Sequence, residues 1–282
     1  MNILSFDIEE WFHILDNYST QTHKDWIKYP KRIHENMQKI YNILDQTNSK
    51  ATFFILGWIA EKYPEVVKEI HSRGHEIGSH SHYHQLVYRQ KRKVFFNDIE
   101  KSIKTIEDLI STKVRMFRAP GFSITESNKW AFEVLYELGV EVDSSIFPAA
   151  RAHGGMKKYG AAEPTILKYN GVTLKEFPIN SFLFFSKPII YSGGGYFRLF
   201  PYYLIKKFSK NSNYVMTYFH PRDFDPDQPI IKELSLLRRF KSYVGLNTSE
   251  NKLKKWLCSS KFIDIGNAEK EIDWNIVQTI NL

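Results

Sequence analysis

The sequence predicts an α/β fold. Apolar strand-like runs alternate with amphipathic helical stretches, and Gly74 and Gly139 stand where two of the helices should stop. Asp7, His80, Arg118, Asp143 and His220 each fall at the C-terminal end of a predicted strand. In a parallel barrel that edge is the active face, so these five would converge on one pocket.

Taken in order, Ile3 to Phe6 reads as the first strand. Pro30 opens a helix with Ile33, Met37, Ile40, Tyr41 and Leu44 on one face. Ala51 to Leu56 is a buried strand, followed by a helix through Val66, Val67 and Ile70. His75 to Gly78 makes a short strand leading into the histidine-rich run His80-Ser81-His82-Tyr83-His84. Val94 to Ile110 is the clearest helix, because Ile99, Ile103, Ile106 and Ile110 form one stripe. Val114 to Phe117 is a strand, Trp130 to Leu138 a helix, and Val140 to Val142 a strand. From about 147 to 195 the alternation is lost, apart from a hairpin at Asn170-Gly171 and a turn at Gly193-Gly194-Gly195. Tyr214 to Phe219 is the last strong strand. A helix follows near 231–243, then another capped around Thr248-x-x-Asn251 or earlier, with a short strand at Phe262 to Ile265.

Composition excludes several classes. The chain of 282 residues is 43% hydrophobic, enough for one large core or two modest ones. Its one cysteine, Cys258, rules out a disulfide framework within a monomer and suits a reducing compartment. No uninterrupted apolar run is long enough to span a bilayer. The first residues lack the charged and apolar regions of an export signal, so a cytoplasmic location is expected. A net charge of +8 without a basic tail or an RNA-binding aromatic signature gives no support for nucleic acid. Anionic lipid headgroups or phosphate-linked sugars remain candidates for attraction, and the apolar, basic stretch from Phe182 to Lys207 is the candidate for peripheral contact with a membrane surface. Trp11, Phe12, Phe184 and Tyr196 are candidates to line a saccharide groove.

The residues with chemistry in them point to a divalent-metal hydrolase. On a strand, Asp7 and Glu9 project to the same face. His80 and His84 have the spacing that lets two imidazoles reach one ion from a helical turn. One carboxylate and two imidazoles leave coordination positions open for water, as catalysis requires. Glu10 is a rival to Glu9 as the ligand.

The run Gly74-His75-Glu76-Ile77-Gly78-Ser79-His80-Ser81-His82-Tyr83-His84 resembles the second motif of the polysaccharide deacetylases, carbohydrate esterase family 4. Ser5-Phe6-Asp7, Phe117-Arg118-Ala119-Pro120 and Tyr218-Phe219-His220 resemble further family motifs and occur in the family's order. A subgroup associated with exopolysaccharide and lipopolysaccharide biosynthesis is similar over most of the length. That likeness is carried by Ser192 to Arg198, His220-Pro221, Asp225 to Pro229 and Arg239 to Tyr243.

The resemblance implies a single domain over 1–282. It would be a distorted (β/α)7-8 barrel to about residue 225, with a C-terminal extension from about 226 to 282. It implies Asp7 as general base, His220 as general acid and Arg118 as the residue that holds the base. Glu9, His80 and His84 become the ligands of one divalent ion, with zinc first and cobalt or iron compatible. The Gly121 amide would help hold the oxyanion, and Asp143 and His153 are candidates for substrate contact. The expected reaction removes the N-acetyl group of an amino sugar carried on a glycan, a lipid or a nucleotide. Hydrolysis of another C–N bond, such as a formamide, or a silent carbohydrate-binding relative are the alternatives. This chain departs from the family pattern in having Asp7-Ile8-Glu9 for two adjacent aspartates, Gly121 for the usual tyrosine, and no clean acidic–tryptophan motif.

Overall fold

The computed structural model describes residues 1–15, 17–20, 22–149, 153–184 and 187–282. Strands β1 (Asn2–Ile3), β2 (Ser5–Ile8), β3 (Thr52–Ile55), β4 (Glu76–Ser79), β5 (Met116–Phe117) and β6 (Val142–Asp143) form its centre. β2 and β3 are buried at every position, which is why their apolar residues run on rather than alternate. From β2 to β6 each strand pairs parallel with the next. Parallel neighbours need crossovers, and helices supply them: α1 (His23–Trp26) and α2 (Ile33–Thr47), α3 (Gly57–Lys62) and α4 (Pro64–Ser72), α5 (Arg92–Ile110), then α6 (Trp130–Glu137). The register puts Asp7 beside Phe54, Phe54 beside Gly78, and Ser79 beside Phe117, so the strand ends form one rim.

Beyond β6 the chain makes the antiparallel hairpin β7 (Thr165–Tyr169) and β8 (Val172–Glu176). Asn170 and Gly171 both have positive φ, as a two-residue hairpin turn matched to strand twist requires. β8 lies parallel to β6. A second hairpin joins β9 (Phe182–Phe184) and β10 (Lys187–Ile189). After α7 (Gly194–Leu199) and α8 (Tyr202–Lys210), β11 (Val215–Met216) pairs with β1, and Phe219 bridges Phe6. Extended backbone links the two arcs: Ile179 N donates to Ile146 O at 2.9 Å and Tyr218 N to Ser192 O at 3.4 Å. The result is a distorted (β/α) barrel.

The remaining elements are α9 (Leu236–Tyr243), α10 (Leu246–Ser259), α11 (Ile265–Glu271) and β12 (Thr279–Asn281). They return to the barrel. α10 buries Leu253 and Trp256, and β12 adds to the sheet parallel to β7. Among the described residues no helix is long and apolar enough to cross a membrane.

Three expectations need correction. Gly193 to Gly195 form no turn. Gly193 is extended and α7 starts at Gly194, because a Cβ on Gly193 would meet Tyr218 O at 2.3 Å and one on Gly195 would meet Lys241 O at 2.9 Å. These glycines permit close backbone approach. Phe262 to Ile265 makes only a bridge, Ile263 to Ile3, before Asp264 caps α11 by accepting from Asn267 N at 2.7 Å. The helix expected near 231–243 starts at Leu236, capped by Ser235, whose side chain accepts from Arg238 N.

Candidate active site

The rim carries Asp7 at the end of β2, and Arg118 follows β5. Arg118 is wholly buried and donates from Nη1 to Asp7 Oδ1 at 2.7 Å and to Ser5 Oγ at 2.8 Å. Its Nη2 donates to Ser144 Oγ at 2.9 Å, and the guanidinium lies 4.2 Å from the centre of the Phe54 ring. A buried cation with this many partners fixes the direction of the Asp7 carboxylate.

Glu9, His80 and His84 come together, all buried, with one ligand atom from each within 4.8 Å of the others. His80 Nδ1 is 2.7 Å from Arg118 O, which places the proton on Nδ1 and leaves Nε2 with a lone pair. Burial, only partly offset by Asp7 and Glu9, brings the His80 pKa down to about 4, so the ring is neutral as a ligand must be. Burial alone would raise the Glu9 carboxyl. The charges of His84, His220 and His13 outweigh it and hold Glu9 well below the usual carboxylate range. Glu9 Oε2 lies 2.8 Å from His84 Nε2, yet not in hydrogen-bonding geometry, and that oxygen has no other hydrogen-bond partner. Two donor atoms aimed at a shared point have this relation, so the three side chains fit a divalent ion.

The histidine pair is not helical. Ser81 and His84 have φ of 66° and 54°, and the turn is held from outside. Asp98 on α5 accepts from His82 N at 2.9 Å and Tyr83 N at 3.1 Å, while Ser81 Oγ accepts from His84 N at 3.1 Å. Glu10 faces away from the ion site. Its Oε1 accepts from Arg32 N at 2.8 Å and Ile33 N at 3.0 Å, so it caps the start of α2.

His220 follows β11 and faces the same carboxylates, with Nε2 3.6 Å from Glu9 Oε1 and 3.9 Å from Asp7 Oδ2. Its Nδ1 is 3.1 Å from Asp223 Oδ2, and Arg198 Nε stands 3.0 Å from Asp223 Oδ1. Burial opposes the charged imidazole, but Asp223, Glu9 and Asp7 outweigh it and raise the pKa to about 9. His220 therefore holds a proton at neutral pH.

Gly121 has φ +61°, and a Cβ there would meet Leu15 Cδ1 at 2.7 Å. His153 lies next to it, half-buried, with Nε2 3.4 Å from Arg238 Nη1. Asp143 is not brought to the open face. It is wholly buried, accepts from Ser145 Oγ at 2.6 Å and Ser145 N at 3.1 Å, and pairs with buried Glu176, whose carboxyl is pushed well up by burial and by Asp143. In place of the expected substrate contact, Asp143 holds Ser145, whose Oγ accepts from Ala119 N at 2.8 Å. Trp11 and Phe12 are buried core residues and line no groove. Tyr196 is exposed, and the side chain of Phe184 lies outside the described residues.

Sequence reasoning missed Ser5, Asp98, Arg198 and Asp223 as supports. Asp98 carried a readable signal, since it is a carboxylate on the apolar stripe of α5 between Phe95 and Ile99. Buried His13 was missed too; its Nδ1 accepts from Glu10 N at 3.1 Å.

Residues 20–142 match the family model described as polysaccharide deacetylase. Residues 144–269 match a domain of unknown function (DUF3473). His80, His84 and Arg118 fall in the first segment, His220 and Asp223 in the second, and Asp7 and Glu9 precede both. A peptidoglycan-N-acetylglucosamine deacetylase of Bacillus cereus is 38% identical over 34% of this chain and 35% of its own length. Chitin deacetylase 2 of Cryptococcus neoformans is 28% identical over 29% of this chain and 18% of its own length. The chain thus spans well under half the length of these two relatives. Among solved structures, a Mycobacterium smegmatis protein provisionally assigned as a polysaccharide deacetylase superposes with a TM-score of 0.67 at 15% identity. That likeness covers 100% of this chain and 92% of that one and shows the shared barrel-like fold.

Proposed function

We propose that the protein is a metal-dependent hydrolase that removes N-acetyl groups from amino sugars of a surface polysaccharide. The observation that carries this reading is the convergence of Asp7, the Glu9–His80–His84 set and His220 on one buried rim. The match to the polysaccharide deacetylase model and the deacetylases among the relatives support the substrate class.

Glu9, His80 and His84 would hold the ion, and two imidazoles with one carboxylate favour zinc. When bound, the ion supplies a Lewis acid that acidifies water and polarises the amide carbonyl. Asp7, kept in place by Arg118, takes the proton from the attacking water. The Gly121 amide would help hold the oxyanion. His220, oriented by Asp223, gives its proton to the sugar nitrogen as the C–N bond breaks. Acetate and a free amine leave.

The test is acetate release from a panel of N-acetylglucosamine glycans, lipid-linked sugars and nucleotide sugars. Zinc-loaded protein should release acetate, a chelator should stop it, and Asp7→Asn should lower the rate about a hundredfold or more while leaving the metal bound. Formate release instead, or an Asp7→Asn variant as fast as the parent, would defeat the reading.

A further inference from the structure

Helix α9 is built inside out. Leu236, Leu237 and Phe240 are 76%, 65% and 56% exposed, and the helix contains no buried residue. Arg238 and Arg239, by contrast, are half-buried. Arg238 Nη2 donates to Leu15 O at 2.9 Å, and its Nη1 stands near His153. The helix thus turns Arg238 toward Leu15 and His153 and its apolar side chains toward solvent. Arg198 fastens it to α7 by donating to Lys241 O, Ser242 O and Val244 O at 2.8–3.2 Å. On α7, Tyr196 and Leu199 are exposed as well, and Ile230 is exposed on the segment before α9.

An apolar helix side that enters no core marks a contact surface for something else. Charge identifies the occupant. Residues 182–261 hold fourteen Lys and Arg against five Asp and Glu, so this segment alone accounts for the whole positive excess of a chain with net charge +8. A second copy laid on this face would set one strongly positive segment against another. An anionic bilayer complements both features, with acyl chains for Leu236, Leu237 and Phe240 and headgroups for Lys232, Lys241 and the lysines of α8.

We propose that α9, with the exposed residues of α7, is a peripheral docking surface for anionic membrane lipid. Because Arg238 also meets His153, a candidate for substrate contact, docking would bring that residue to the lipid–water boundary. The proposed surface overlaps the stretch Phe182 to Lys207 expected to meet a membrane, since Tyr196 and Leu199 are exposed within it, and extends it to α9.

The test is co-sedimentation of the full chain with vesicles of phosphatidylcholine alone or with one quarter phosphatidylglycerol. It needs no substrate, so its outcome is separate from that of the deacetylase reading. Wild type should bind the anionic vesicles, bind neutral ones at least tenfold less, and release as salt is raised. Replacing Leu236, Leu237 and Phe240 together by Ser should lower binding at least tenfold, with unchanged circular dichroism because none of the three is buried. Lys232→Glu with Lys241→Glu should also weaken binding. Absence of binding to anionic vesicles would overturn the proposal. So would undiminished binding by the triple variant, or self-association in light scattering that the triple variant abolishes while vesicles are ignored.

Discussion

Adjacent carboxylates at positions 9 and 10 carry opposite burdens. Glu9 is aimed at two imidazoles, whereas Glu10 spends its oxygens on the first amides of α2. Glu9→Ala should therefore weaken bound metal by more than about tenfold with little loss of stability. Glu10→Ala should keep the metal and cost about 1–2 kcal/mol, the usual range for a lost helix cap. Metal titration with denaturant unfolding of both variants separates them, and the reverse pattern would exchange their roles. The sequence left this choice open because strand alternation ends at Ile8, and beyond a strand nothing in residue spacing says which of two glutamates turns inward. The partner of Asp7 was legible through the family resemblance alone: the run Phe117-Arg118-Ala119-Pro120 resembles a motif whose arginine holds the base, and spacing by itself leaves Arg118 a surface cation.

At the scale of elements, the spacing of His80 and His84 was legible but its conformation was not. Four residues apart suggests a helical turn, yet the two left-handed residues show a loop that cannot hold its shape by its own ladder. Asp98 supplies the missing order from α5, and burial lifts its pKa to about 6 despite the two amides it accepts from. Asp98→Asn keeps the volume but sets an NH₂ group against one of two N–H donors. We expect metal affinity to fall about 10- to 100-fold, as for other supports of metal ligands. Competition with a chromophoric chelator measures this, and unchanged affinity in a folded variant would show that the turn orders itself. The long apolar elements β2, β3, α2 and α5 were legible for the reason the turn was not: their periodicity reports burial directly, while a turn held by a distant side chain leaves no local period. Gly193 to Gly195 illustrate the same limit, because glycine for close approach and glycine for a turn look alike in sequence.

At the scale of the whole molecule, the C-terminal residues are tied to the base of the barrel, and Glu76 is one of the ties. It begins β4 and accepts from Gly266 N in α11 at 2.7 Å and from Thr52 Oγ1 at 3.0 Å. Burial, aided by Asp264 and opposed by Gly266 N, Thr52 and Arg115, raises its pKa to about 7 from an ordinary 4.5. Between those two values the folded protein binds a proton that the unfolded chain has released, so stability falls as pH rises through that window. Above about pH 7 the penalty is constant, up to about 3 kcal/mol at 1.36 kcal/mol per unit. Glu76→Gln keeps an oxygen for Gly266 and Thr52 and has no charge to bury. Its stability should change less with pH between about 4.5 and 7 than that of the parent, and it should be the more stable of the two above pH 7. Urea unfolding of both proteins at pH 5, 6, 7 and 8 reads this directly. Parallel curves would mean that Arg115, 3.7 Å from Glu76 Oε1, already neutralises the buried carboxylate.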